Sequence, residues 1–80
     1  MQRVLVERAR NGELEAFTQL VKVSLRRLTG VANLILRDSE LAQDAVQDAY
    51  LMAWRDLRAL RDPEAWDAWL HRPTVRACYK

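Results

Sequence analysis

Two glycines, two prolines, one cysteine and one histidine are all that 80 residues supply of the types that build turns, disulfides and metal sites. The lone Cys78 excludes an internal disulfide framework and any multi-cysteine zinc site. The lone His71 leaves little for metal or acid–base chemistry. No excess of one charge sign stands out. Thirteen basic residues face 11 acidic ones, a net charge of +2. The chain is therefore no indiscriminate polycation, and any nucleic-acid surface must come from local clustering. No apolar run approaches the roughly 18 residues of a membrane span. The start, MQRVLVERAR, is charged throughout, unlike a secretory signal. There is no nucleophile–histidine–acid set, no phosphate-binding glycine loop and no metal-spaced cluster. The expectation is a soluble, cytoplasmic protein with no cofactor, no small-molecule substrate, no membrane partner and no enzymatic activity. One small domain is expected, burying only roughly 60% of the surface its unfolded chain exposes.

What is present is helical periodicity. Apolar residues recur at intervals of three and four, and no segment alternates with period two, so the expected fold class is all-α, a compact helical bundle of about four helices. The first helix spans 2–10, with Leu5, Val6 and Ala9 as its apolar side. Asn11-Gly12 ends it, since both tolerate the left-handed conformation. A second helix runs from about 13 to 36, with Glu13 and Glu15 at the positive end of its dipole. Leu14, Phe17, Val21, Leu25, Leu28, Ala32, Ile35 and Leu36 fall in one sector about 100° wide and form its expected core side. Asp38 or Ser39 caps a third helix at about 39–60, packed through Ala42, Ala45, Val46, Ala49, Ala53, Leu57 and Leu60. Asp62-Pro63-Glu64 starts a fourth helix at 63 with a cap, a proline at the first position and an acid in the first turn. Trp66, Leu70 and Ala77 share its inner face. Pro73 interrupts it; the helix either kinks there or ends near 71 and restarts. Trp54, Trp66 and Cys78 read as packed internally, and His71 as a surface or boundary residue.

Two faces exceed what packing requires. On the third helix Asp44, Gln47, Asp48 and Leu51 cluster by helical spacing, with Glu40 above and Arg55 below. This is either a solvated face with one stray leucine or an acidic docking face with an apolar anchor for a basic partner. On the fourth helix Arg72, Arg76 and Lys80 are spaced by four, and no acid occurs from His71 to Lys80. Trp69 and Tyr79 flank that stripe. Basic side chains beside aromatics suit a nucleic-acid backbone and exposed bases; the plainer reading is a solvated stripe with Trp69 in the core.

The runs LVERARNGELEAFTQL, ILRDSELAQDAVQDAYLMAWRDL and LRDPEAWDAWLHR together resemble region 2 of bacterial RNA polymerase sigma factors of the extracytoplasmic-function (ECF) group. The likeness covers nearly the whole chain, and DAVQDAYLMAWR followed by DPEAWDAWLHR carries it. The resemblance implies that Asp44, Gln47, Asp48 and Leu51 dock on the β′ clamp helices of the polymerase core. It implies that Leu60, Arg61 and Asp62 match the turn that captures a flipped base of the promoter −10 element. It further implies that Trp69, Arg72, Arg76 and Lys80 lie along the non-template single strand of that element, and that an anti-sigma factor is a further partner.

Two departures bear on this. Many members carry Ile or Leu in place of Pro73, and many carry Asn in place of Arg76. An arginine strengthens phosphate contact while losing an amide's ability to read a base. Residues 1–80 are expected to be a single region 2 domain, the chain stopping where a linker and a second, helix-turn-helix domain (region 4) would follow. The rival reading is a helical protein-interaction module, a sigma-like regulator that binds a basic partner without reading DNA.

Overall fold

Asn11-Gly12 stops the first helix as its composition leads one to expect. The computed structural model describes residues 2–79, and in it α1 spans Gln2–Arg10. Gly12 takes a φ of 93°, where a side chain would be strained. Its N–H reaches the Ala9 carbonyl at 3.0 Å, and the Glu13 N–H reaches that of Arg8 at 3.1 Å. Arg8 and Glu13 pair across the same turn at 2.9 Å.

The second helix, α2, spans Leu14–Leu36. At about 1.5 Å per residue, its 23 residues match the longest dimension of the molecule, 34 Å. It is the spine against which α1, α3 and α4 pack. Its buried residues include Ala16, Leu20, Ser24, Leu28 and Ala32, spaced by four, with Phe17 beside them. This corrects the expected stripe: Leu14 is 61% exposed and Leu25 46%. The reason is geometric. A line of residues spaced by four drifts about 40° around the helix at each step. The face that α2 buries near α1 is therefore not the face it buries near its other end, and one averaged sector misplaces Leu14 and Leu25.

Arg37 ends α2 in the left-handed conformation, its N–H bonded to the Asn33 carbonyl at 2.9 Å. Asp38 then caps α3, Ser39–Asp56, accepting from the Glu40 and Leu41 N–H groups at 3.0 Å each. Such a cap contributes about 1 kcal/mol. The α-helix stops at Asp56, four residues short of the expected end, and a 3₁₀ turn follows at Leu57–Ala59. Residues three apart eclipse in a 3₁₀ turn, which lets Leu57 and Leu60 both enter the core, at 1% and 3% exposure.

Asp62 caps the next segment by accepting from the Glu64 N–H at 3.0 Å. Pro63–Ala65 form a 3₁₀ turn, and α4 follows as Trp66–Cys78. The fourth helix thus begins as 3₁₀ at 63 and becomes α-helical three residues later. It does not end near 71: it stays helical through Pro73. The proline has no N–H for the Trp69 carbonyl. One residue on, the buried Thr74 hydroxyl donates to the Leu70 carbonyl at 3.0 Å and ties the same turn.

The core is aromatic at its centre. Phe17 of α2 lies 4.9 Å from Trp54, 6.2 Å from Trp66 and 6.4 Å from Tyr50, ring centroid to centroid. Trp66 is 1% exposed, and truncating so large a buried ring costs about 3–5 kcal/mol. Cys78 is buried, as expected. Among the described residues no strand forms, and no helix is long and apolar enough to cross a membrane.

Candidate functional site

The C-terminal end of α3, the 3₁₀ turn after it and one face of α4 enclose a groove of about 440 Å³. Met52 and Ala59 give it apolar walls on one side, Trp69 and Pro73 on the other. Four arginines converge on it: Arg55, Arg58, Arg72 and Arg76. Arg55 is already committed, held by both carboxylate oxygens of Asp56 at 2.9 and 3.0 Å. Those hydrogen bonds hold the Asp56 carboxyl below its ordinary value, and the charges of Arg55 and Arg76 add to the effect. They likewise raise Arg55. Arg58, Arg72 and Arg76 form no ion pair among the described residues. The groove therefore carries uncompensated positive charge beside an indole.

Trp69 is half-buried, with its ring 5.9 Å from that of Trp66 and inclined by 30°. One side packs on the core and the rest faces the groove. His71 is exposed on α4. Lys80, the expected end of the basic stripe, lies outside the described residues.

The turn 60–62 needs a correction. Leu60 is a core residue, and its side chain is not offered to a ligand. Asp62 spends one carboxylate oxygen, Oδ1, on the Glu64 N–H. Arg61 is exposed and forms no ion pair among the described residues. The chemistry this turn can present is one free guanidinium and the outer oxygen of a carboxylate, on a loop pinned by Leu57 and Leu60.

On α3 the residues Asp44, Gln47, Asp48 and Leu51 are all exposed, Leu51 at 64%. Neither aspartate forms an ion pair among the described residues. Beside them a shallow cleft between α2 and α3 brings Leu25 and Thr29 next to Asp44 and Gln47. Leu25, expected in the core, belongs to this surface instead. Leu41, 54% exposed, extends the apolar side of the face toward the start of α3.

The sequence of this all-helical domain matches a known family. The sigma-70 region 2 family profile matches residues 20–80, and the chain belongs to that family. The ECF RNA polymerase sigma factor SigM of Mycobacterium tuberculosis (strain H37Rv) is 45% identical over 67 residues, 84% of this chain and 34% of that protein. The ECF RNA polymerase sigma-E factor of Escherichia coli (strain K12) is 39% identical over 75 residues, 91% of this chain and 38% of that protein. The RNA polymerase sigma-H factor of Pseudomonas aeruginosa is 35% identical over 71 residues, 89% of this chain and 37% of that protein. The chain thus spans little more than a third of the length of these relatives. No solved structure matches it significantly.

Proposed function

We propose that this chain acts in transcription initiation as the region 2 domain of a sigma factor, a regulator and not an enzyme. In this reading Asp44, Gln47, Asp48 and Leu51, with Leu25 beside them, dock on the β′ clamp helices of RNA polymerase core in the cytoplasm. Arg61 and Asp62 hold a base extruded from the promoter −10 element. Trp69, Arg72 and Arg76 line the non-template single strand, and Lys80 would extend that line. An anti-sigma factor would compete for these surfaces, and a region 4 domain would read a second promoter element.

The observation that carries the proposal is the segregation of charge along α3. Its middle presents carboxylates around Leu51, and its C-terminal end opens into a groove where Arg55 is paired with Asp56 but Arg58, Arg72 and Arg76 form no ion pair among the described residues. Pulling a base from the stack costs a few kcal/mol, which a site for the extruded base offsets. Unpaired arginines hold the displaced strand's phosphates, a contribution that weakens with salt. The continuity of α4 past Pro73 supports keeping Arg76 in the same groove as Arg72. Docking on polymerase then raises the effective concentration of a site that is weak alone.

The test is fluorescence anisotropy of a labelled single-stranded −10-like oligonucleotide pool, with and without a β′ clamp-helix fragment, at low and high salt. Clamp-enhanced, salt-sensitive, sequence-dependent binding is expected. Asp48→Arg should abolish clamp binding while DNA binding by the free chain persists. Arg76→Ala should weaken DNA binding and lower the salt slope by about 0.7. Clamp binding with no DNA signal would replace the proposal with a protein-interaction module.

A further inference from the structure

Arg58 belongs to more than the groove. It also lines a second cleft, on the other side of the 3₁₀ turn, whose remaining walls are Glu7, Arg10 and Asn11 at the end of α1. A third opening joins Arg10 and Arg58 to Arg55 beneath Trp54. The fold thus carries a line of arginines from Arg76 and Arg72 through Arg58 to Arg10. These four are unpaired among the described residues. Arg8, the neighbouring cation of α1, is held by Glu13 at 2.9 Å. Glu7, the carboxylate of the second cleft, is drawn off by Arg3 at 3.3 Å.

We infer that Arg10 and Asn11, with Arg58, form a second contact for the phosphodiester backbone of the DNA strand held in the groove. The strand continues past the 3₁₀ turn onto the end of α1. This rests on the function proposed above and extends it to an element, α1, that lies outside the fourth-helix stripe.

The two clefts differ in a way that specifies the contact. The groove has Trp69 for a base to meet; the second cleft has no aromatic side chain on its walls. A surface with arginine and amide donors and no stacking platform takes phosphate, not bases. Guanidinium groups suit that role, since their planar fork matches two phosphate oxygens. Asn11 is exposed, and its backbone N–H is spent on the Glu7 and Arg8 carbonyls. Its side-chain amide is the donor left to give. The contact is therefore indifferent to sequence and acts on affinity and register alone.

The test compares a short single-stranded −10-like oligonucleotide with versions carrying a short abasic extension at one end or the other. Wild type should bind one of the extended versions more tightly, and lacking bases should not diminish that gain. Arg10→Ala should lose the gain while binding the unextended oligonucleotide as before; Arg10→Lys, which keeps the charge, should retain most of it. Removing one phosphate neutralisation should take about 0.7 from the salt slope, equivalent to about 2.6-fold between 50 and 200 mM salt. A circular dichroism melt guards against loss of fold. If the extension adds as much to Arg10→Ala as to wild type, adds nothing, or adds only when it carries bases, the inference falls. In each of those cases Arg76→Ala still weakens the unextended oligonucleotide, and the groove reading stands. If wild type binds no oligonucleotide at all, both fall together.

Discussion

The hydroxyls of Ser24 and Tyr50 meet at 2.6 Å across the packing of α2 on α3. Either hydroxyl can donate in that contact; the serine O–H also reaches the Leu20 carbonyl at 2.9 Å. The tyrosine O–H has one other acceptor, the Val21 carbonyl, at a longer 3.4 Å. Ser24→Ala therefore leaves a buried phenol with only the poorer partner, at a cost of about 1–3 kcal/mol. Tyr50→Phe should cost less at the hydroxyl, because Ser24 keeps Leu20. In a domain of this size each kcal/mol lowers Tm by about 4–8 °C. A double-mutant cycle read by thermal melting should show positive coupling between the two; strictly additive losses would mean the contact contributes nothing.

Alkaline pH should act on the same region. Burial pushes the Tyr50 phenol above its ordinary 10.0, against smaller opposing effects from the Ser24 hydrogen bond and the Arg27 charge. Burial also pushes the Cys78 thiol above its ordinary 9.0. In the unfolded chain both groups lose their protons at the ordinary values, while the folded chain holds them longer. Their contribution to stability is thus fully present below the unfolded values and is lost as pH rises through the folded ones. Melting temperatures taken from pH 8 to 11 should fall more steeply for wild type than for Tyr50→Phe or Cys78→Ala. Parallel curves would contradict the assignment.

What the sequence made legible was local. Asn11-Gly12, Asp38 and Asp62-Pro63 each mark a helix end through chemistry contained within a few residues, and α1, α2 and the start of α3 follow closely. The rest depended on partners distant in the chain. Leu25 leaves the core because α2 meets different neighbours along its length. The α-helix of α3 stops early because a 3₁₀ turn buries Leu57 and Leu60 together. Ser24 counts as polar until Tyr50, 26 residues away, completes its hydrogen bonds. Of the groove, the Arg72–Arg76 stripe was visible as spacing. The approach of Arg10 to Arg58 was not, since no periodicity connects α1 with the turn after α3.

Pro73 is the residue whose substitution should gain stability. Within α4 it deprives the Trp69 carbonyl of a donor, and a proline in a helix interior costs about 3 kcal/mol relative to alanine. Its restriction of the unfolded chain offsets about 0.4–1 kcal/mol of that. Pro73→Ala should therefore stabilise by about 1–3 kcal/mol, visible as a higher Tm. Because Pro73 walls the groove without charge, the salt slope of DNA binding should not change. A lower Tm would mean that the packing of the ring outweighs the missing hydrogen bond.

The turn 60–62 separates stability from binding. Leu60 is buried, so Leu60→Ala should destabilise by about 2–5 kcal/mol and weaken DNA only by loosening the loop. Arg61 is exposed and unpaired among the described residues. Arg61→Ala should hold stability within about 0.5 kcal/mol and still weaken the oligonucleotide. Asp62 bears on both stability and binding: its Oδ1 caps the turn, and the residue is exposed. Asn caps as well as Asp, so Asp62→Asn should keep Tm and alter only the hydrogen bonding of a captured base, whereas Asp62→Ala should lose about 1 kcal/mol as well. Melts and anisotropy on the four variants decide it. If Arg61→Ala and Asp62→Asn both bind like wild type, the turn is a structural joint between α3 and α4, and base capture must be sought beside Trp69 in the groove.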